Sequence, residues 1–197
     1  MTLQAIWLIT ATAFAGGGAW NSPSPGQLYV GVHSGFPWQG IHAEYAPGGA
    51  ISLTGHVETA LLKRTEVRMG AQRSWGISER WSVLTRASLG AVHQLGGNPR
   101  QGPQLGAMLK LSRSGKVEPY FSLRHRELFA RKAELTISNS GEETNWTTTR
   151  YFSRGGSLGM RIPIRNQWCA DLAFRAGSMD NEFSIPSLLV GIDWRSE

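Results

Sequence analysis

The sequence is poor in cysteine and in charge, and both deficits restrict the class of protein. Cys169 is the only cysteine among 197 residues, which excludes an intrachain disulfide and a cysteine metal cluster. Charged residues make up 17% of the chain, whereas glycine occurs 24 times and tryptophan 8 times. This composition is unusual for a soluble α/β protein. It is typical of strands that place one face in lipid and the other in a crowded polar lumen.

Long apolar runs are also missing. Beyond the N-terminal segment, no stretch reaches the roughly 18 apolar residues that a transmembrane helix needs. If the chain enters a membrane, we therefore expect it to do so as a closed β-barrel.

Basic runs are absent as well, although the formal net charge is +6 and the pI is about 10.0. Because the cations are scattered along the chain, we do not expect nucleic-acid binding. Phosphorylated lipid head groups are a more natural partner for a basic membrane protein, through charge attraction.

The first fifteen residues, MTLQAIWLITATAFA, hold an apolar run that ends in a small-x-small pattern. This pattern predicts a secretory signal peptide at residues 1–15. A flexible spacer at 16–26 and one domain at 27–197 follow. No Lys or Arg precedes the apolar run, so a start further upstream and a short buried helix are the alternatives.

From Gln27 onward, apolar and polar side chains alternate, which is the pattern of β-strands. The row of Leu188, Val190, Ile192 and Trp194 is one example. We predict about ten strands, with eight as the alternative if the first short hairpin lies outside the wall. The opposite row carries most of the charge: Glu44, Glu58, Arg68, Arg86, Lys110, Arg161, Asp171, Arg175 and Asp193.

The connections between the strands fall into two sets. PGG, GISER, SRSGK and RNQ are short and turn-like, whereas QLGGNPRQG, the stretch 127–149 and GSMDNEFSIP are longer and irregular. We therefore predict tight turns at one rim of the barrel and long loops at the other.

Alternation alone fits a soluble barrel with an apolar interior as well as a membrane barrel with an apolar exterior. The signal-peptide pattern, the two kinds of connection and the tryptophans at strand ends favour lipid. These tryptophans are Trp38, Trp75, Trp81, Trp168 and Trp194. We expect the apolar row to contact acyl chains, and the ionisable row to fill a narrow lumen with ion pairs.

In this pattern, over residues 26–194, the chain resembles small bacterial outer-membrane β-barrel proteins. The resemblance implies an all-β, single, antiparallel, up-and-down transmembrane barrel that the barrel-insertion machinery places in the bacterial outer membrane. Such proteins usually close on a terminal aromatic residue, whereas this chain continues for three residues beyond Trp194.

Two features of the sequence resemble enzymes. GGSLG at 155–159 matches the nucleophile elbow of α/β-hydrolases, but MRIPI continues as a strand and no histidine follows His125, so we reject the match. The chain also resembles lipid A deacylases in architecture. Their catalytic histidine and serine lie in the C-terminal part, and the missing histidine means that these residues are not carried over.

Several histidines and glutamates occupy inward-facing positions of the alternation, on three consecutive predicted strands. His33, His42 and His56 are candidate metal ligands, and His42, Glu44, His56 and Glu58 are candidate catalytic acids and bases beside Ser52. The alternative is a hydrogen-bonded lumen in which these groups satisfy one another and the arginines opposite. No cofactor is expected.

The segment SLRHRELFARK contributes a second candidate site, for lipid phosphate. We expect Arg124, Arg126, Arg131 and Lys132 to lie at the base of the longest loop, where arginine forks suit the phosphates of lipopolysaccharide. A solvated loop base is the alternative.

The leading prediction is a non-enzymatic outer-membrane barrel with a plugged lumen, acting as an envelope or adhesion-type scaffold through its outer loops. The first alternative is a lipid-modifying hydrolase, similar to lipid A deacylases, that uses His42 or His56. The second is a secreted soluble barrel that binds an apolar ligand inside.

Overall fold

Ten antiparallel strands close into one barrel in the computed structural model of the protein. The structure describes residues 24–48, 50–61, 63–95, 100–138, 141–165, 167–179 and 182–196. The predicted signal peptide and most of the spacer lie outside the described residues. The strands are β1 (Leu28–Ser34), β2 (Trp38–Gly48), β3 (Ile51–Ala60), β4 (Arg64–Gly76), β5 (Trp81–Gln94), β6 (Arg100–Arg113), β7 (Glu118–Ser138), β8 (Gly141–Arg165), β9 (Trp168–Met179) and β10 (Glu182–Arg195).

Each strand pairs with its neighbours in sequence, and β10 returns to pair with β1. This is the up-and-down topology of a single barrel, so the predicted fold class is confirmed. The eight-strand alternative is wrong because β1 lies inside the wall. It pairs with β2 from Leu28 to Ser34 and with β10 from Tyr29 to Ser34. Among the described residues, no helix is long and apolar enough to cross a bilayer.

The apolar row faces outward along every strand. Leu109, Leu172 and Ile192 are 46%, 38% and 47% exposed, whereas Asp193 on the opposite row is 4% exposed. Outward side chains from all ten strands form the apolar belt, which includes Val30, Ile41, Leu53, Val67, Leu89, Leu105, Leu123, Leu158, Phe174 and Val190. The soluble-barrel alternative is therefore wrong, since its apolar row would have to fill the interior.

One rim, here called the turn side, carries the four short connections that the sequence predicts, between β2 and β3, β4 and β5, β6 and β7, and β8 and β9. The start of β1 and the end of β10 lie at the same rim, where the Leu28 amide donates to Ser196 Oγ at 2.9 Å. Gly48 ends β2 with a φ of +147°, a conformation that L side chains rarely adopt. The opposite rim is called the loop side.

At the loop side, the prediction of a long irregular loop over 127–149 is wrong. β7 and β8 continue as a paired ribbon as far as Ser138 and Gly141, whereas the last residue that pairs with β6 is Arg131 and the last that pairs with β9 is Ser153. Residues 132–138 and 141–147, here called the β7–β8 hairpin, therefore project beyond the wall by about 20 Å, at roughly 3.3 Å per residue.

A second predicted loop, GSMDNEFSIP, is also mostly strand. β9 runs to Met179 and β10 begins at Glu182, with a shift of register between Ser184 and Ser187. Pro186 lies at that shift, and it has no N–H with which to continue the ladder. Of the third predicted loop, QLGGNPRQG, residues 96–99 lie outside the described residues.

Candidate functional site

The candidate site is the charged lumen of the barrel. All nine charged residues that the alternation places on the inward row line one central cavity of about 170 Å³. They alternate with small residues, so that the long polar side chains have room to reach across. The wall hides these groups from lipid, and they contact one another instead.

Two fully buried glutamates organise the loop-side half of the lumen. Glu58 on β3 and Glu66 on β4 are 1% and 0% exposed and face each other across the β3–β4 pair. Arginines from β7 and β9 reach them across the lumen: Arg175 donates to Glu58 at 2.8 Å, and Arg126 donates to Glu66 at 2.6 Å. The contacts therefore bridge opposite walls of the barrel.

Further arginines complete this group. Arg68 forms an ion pair with Glu58, and Arg64 forms one with Glu66 at 2.7 Å. Arg126 also approaches Glu58 to 3.6 Å. We call the six residues Glu58, Glu66, Arg64, Arg68, Arg126 and Arg175 the lumen cluster. Arg64 and Glu66 are not among the predicted site residues, although both lie an even number of residues from Arg68 on β4 and so face the same way.

The three histidines form a row rather than a converging set. The His42 ring stacks on His56 with centroids 5.7 Å apart, and its centroid lies 6.3 Å from that of His33. Each has a different polar neighbour. His33 lies 3.3 Å from Glu58, His42 lies 3.4 Å from Asp193, and Arg86 donates to His56. Among the described residues, no three His, Cys, Asp or Glu side chains could together hold a metal ion.

The catalytic candidates also have structural partners. Ser52 donates a hydrogen bond to Glu44 at 2.9 Å, so its hydroxyl does not point at a histidine. Within the described part of the chain, no hydroxyl group is hydrogen-bonded to His42 or His56, and Nε2 of His56 accepts a bond from Arg86. The geometry favours a satisfied polar lumen, and catalytic and metal-binding roles for these residues stay predictions.

The turn-side half of the lumen is built around Tyr120. Its hydroxyl donates to Asp171 at 2.8 Å, and the Lys110 ammonium lies 4.2 Å from the centre of its ring. Arg161 lies 3.4 Å from Asp171 and 3.5 Å from Asp193. The phenol is thus fixed between a carboxylate and two cations, which stabilises this half without a ligand.

The structure separates the four predicted lipid-phosphate residues. Arg124 and Arg126 face the lumen, where both line the central cavity, and Arg131 is exposed on the outer face. The side chain of Lys132 lies outside the described residues. The separation arises because β7 continues as a strand, so that residues of opposite parity lie on opposite faces.

Other arginines do join Arg131 on the outer face. Arg150 and Arg154, on β8, are exposed there, and Arg150 pairs with Glu127 at 2.7 Å. The Arg150 guanidinium lies 4.7 Å from the centre of the Phe152 ring. Neither arginine is among the predicted site residues, because both follow a predicted loop. Arg150, Phe152 and Arg154 are nevertheless spaced two apart, which indicates one outward row.

Two of the five tryptophans predicted to form a girdle are exposed at one rim. Trp81 and Trp168 are 42% and 44% exposed at the turn side, and Trp194 pairs with Trp168 there. Trp38 instead faces the lumen at the loop side, where the guanidinium groups of Arg64 and Arg175 lie 5.8 and 6.0 Å from its ring centre.

A closed antiparallel sheet with an apolar exterior and an ion-paired interior defines the molecule as a transmembrane-type β-barrel. No protein-family model matches the sequence, and no curated protein matches it.

Solved structures with a similar fold include three bacterial barrels. The N-terminal β-barrel domain of Pseudomonas aeruginosa OprF is 10% identical, with a TM-score of 0.39, over 88% of this chain and all of that one. The NanC porin is 12% identical, with a TM-score of 0.42, over 85% of this chain and 98% of that one. Neisserial surface protein A is 11% identical, with a TM-score of 0.39, over 85% of this chain and 94% of that one. At these identities the likeness is one of fold alone.

Proposed function

We propose that this protein is a non-enzymatic outer-membrane barrel that is closed to solutes and holds the β7–β8 hairpin outside the membrane as an adhesion-type scaffold. The lumen cluster is the observation that carries the proposal. Its ion pairs join β3 and β4 to β7 and β9, so they cross the space through which a solute would have to pass.

The energetics of the lumen cluster support a closed state. Separating buried charges without new partners costs about 3–5 kcal/mol for each broken pair. Glu58 alone contacts Arg68, Arg126 and Arg175, so opening the lumen at this level would break several contacts at once. A water-filled channel through this section would need that whole cost to be offset.

The hairpin supports the scaffold role. Along residues 132–147 the two strands pair only with each other among the described residues, so the barrel wall does not depend on them. A ribbon that extends from a closed barrel adds no strength to the wall, but it presents two unpaired strand edges to a partner.

Conductance in planar lipid bilayers tests the closed lumen. The unmodified protein should give no stable unitary current, because the lumen cluster blocks the path. The double variant Glu58→Ala with Arg126→Ala should give fluctuating currents. Glu79→Ala with Arg113→Ala, at the turn side, is the matched control and should stay silent. A steady open channel in the unmodified protein would contradict the proposal.

Shortening the hairpin tests the scaffold role. Replacing residues 132–147 by Asn-Gly, a two-residue turn that suits hairpins, should leave the barrel folded. Cells that display the shortened protein should then attach to matrix-coated surfaces no better than cells without the protein. Equal attachment by the full-length and shortened forms, at equal surface amounts, would show that the hairpin is not the adhesive element.

For lipid phosphate we propose a revised set of residues, Arg131, Arg150 and Arg154. All three are exposed on the outer face near the loop side, and Arg131 lies diagonally across the β7–β8 pair from Arg150. Changing the three to Gln should weaken binding of the detergent-solubilised protein to lipopolysaccharide vesicles. Binding to vesicles of uncharged lipid should not change. If the triple variant binds lipopolysaccharide normally, this surface is not the site.

A further inference from the structure

We propose that the loop-side half of the lumen binds a small water-soluble oxyanion, a carboxylate or phosphate group, between Arg124 and Arg175. The proposal starts from a charge imbalance. Among the described residues, five arginines occupy this region, the four of the lumen cluster and Arg124, against the two carboxylates Glu58 and Glu66. With every group ionised, three positive charges are left without a matching carboxylate, in surroundings where unmatched charge is costly.

Of these five arginines, Arg124 alone has no counterion among the described residues. Its guanidinium has one hydrogen bond to a described residue, a long one of 3.4 Å to Ser157 Oγ. No carboxylate of the described residues lies within ion-pair distance of it, whereas Arg126, two residues further along β7, contacts both Glu58 and Glu66. A guanidinium has five N–H donors, so most of the donors of Arg124 are available to a ligand.

Arg175 offers a second set of donors at the same place. One terminal nitrogen donates to Glu58 at 2.8 Å, while Nε is buried and has no hydrogen-bond partner among the described residues. Arg124 on β7 and Arg175 on β9 lie on either side of β8, where Arg124 pairs with Gly155 and Arg175 pairs with Ser157, and both line the same two cavities.

The space beside these two arginines fits a small anion. Arg124, Arg126 and Arg175 line both the central cavity and a second cavity of about 100 Å³ at the loop-side mouth. Trp38, Arg64 and Ser153 also line the mouth cavity. An oxyanion that enters from this mouth meets guanidinium forks on two sides, the arrangement that suits paired oxygens of carboxylate or phosphate.

The side of the barrel wall on which the arginines lie indicates whether the anion comes from lipid or from solution. Arg124 and Arg175 face the lumen, so the phosphates of surrounding lipid lie on the other side of the wall. The ligand is therefore a soluble oxyanion, and vesicles of lipopolysaccharide should not occupy the site. The site is also independent of the closed lumen proposed above, because it can be filled from the mouth without passage across the membrane.

Inorganic phosphate is the probe for a first experiment on the unmodified full-length barrel in detergent. We expect phosphate to raise the temperature of heat unfolding in a saturable way and to bind in calorimetry. Chloride at equal ionic strength should do neither. Lipopolysaccharide micelles should not compete with phosphate. Equal effects of phosphate and chloride, or full displacement by lipopolysaccharide, would overturn the proposal.

The variants Arg124→Gln and Arg124→Lys identify the residue. Arg124→Gln should weaken phosphate binding about tenfold or more, because charge-assisted bonds are lost. Arg124→Lys should retain part of the binding. Without phosphate, Arg124→Gln should be as heat-stable as the unmodified protein or more so, since it removes an unmatched charge. Arg113→Gln, at the turn side, is the matched control and should keep the full response. Unchanged binding by Arg124→Gln, or lower stability without phosphate, would show that Arg124 is structural.

Discussion

Individual glycines on the inward row decide which large side chains the lumen can hold. A Cβ at Gly31 would overlap Asp193 and His42, and a Cβ at Gly159 would lie 2.5 Å from Cζ of Tyr120. These positions lack a side chain because a neighbouring wall sends a long polar one into the same space. At these two positions, glycine therefore follows from how crowded the lumen is.

Gly159 provides a test of this account. Gly159→Ala should push Tyr120 away from Asp171 and lower the free energy of unfolding by about 1–3 kcal/mol, the usual cost of overpacking. Gly55→Ala is the matched control, because a Cβ there meets nothing within 4 Å. Urea unfolding in lipid vesicles measures both. Equal stability of the two variants would contradict the crowding argument.

Glu58 should be the most sensitive single charge in the lumen. Glu58→Gln keeps the shape of the side chain but removes the carboxylate that Arg175 contacts among the described residues, and it leaves Arg68 only the more distant Glu66, at 3.7 Å. We expect a loss of about 3–5 kcal/mol in the free energy of unfolding. Glu127→Gln removes a carboxylate that pairs with Arg150 on the outer face and should change stability little. A loss for Glu58→Gln no larger than that of the control would show that the ion pairs contribute little.

At the scale of single residues, the position of a residue in the strand alternation predicts which way its side chain points, but not which residue it contacts. Alternation is enough to place Glu58, Arg68 and Arg175 inside. The contact between Arg175 and Glu58 depends on the number and tilt of the strands between β9 and β3. A local sequence pattern contains neither quantity. For the same reason the histidines could be predicted to lie together, but not to stack as a row.

At the scale of the strand, the outward row should tolerate charge only near its ends. Leu105 lies near the middle of β6, and Leu105→Arg should lower the free energy of unfolding by about 2–4 kcal/mol in vesicles. Ile77→Arg, in the turn between β4 and β5, should cost about 0–1 kcal/mol by the same depth dependence. Unfolding in vesicles of defined lipid compares them. If both variants cost the same, the apolar belt is not embedded at the depth we assign.

The strands also show where sequence reasoning fails. The sequence predicts a long irregular connection over residues 127–149, whereas β7 and β8 continue as strands through most of it. Polar alternation disappears when both faces of a ribbon meet water, so a hairpin beyond the membrane has the composition of a loop. Thr144, Thr147, Thr148 and Thr149, which favour strands, were the available signal.

At the scale of the whole molecule, the closed hydrogen-bond ladder predicts high resistance to detergent. The native protein should fractionate with the membrane pellet, and its band on a denaturing gel should shift after boiling, because unheated detergent leaves the closed sheet intact. Recovery in the soluble extract, or an unchanged band, would contradict a lipid-embedded barrel. Glu58→Gln should lower the temperature at which the band shifts, whereas Glu127→Gln should not.

Alkylation of Cys169 can report local opening of the barrel. The only thiol in the chain is 0% exposed, packs with Tyr29 and donates weakly to the Ala170 carbonyl. Cys169 faces the lumen near the turn side, so an alkylating reagent can reach it only when the side chains packed around it move apart or when the chain unfolds. The rate of alkylation therefore measures how often this part of the barrel opens, in native membranes and without any introduced label.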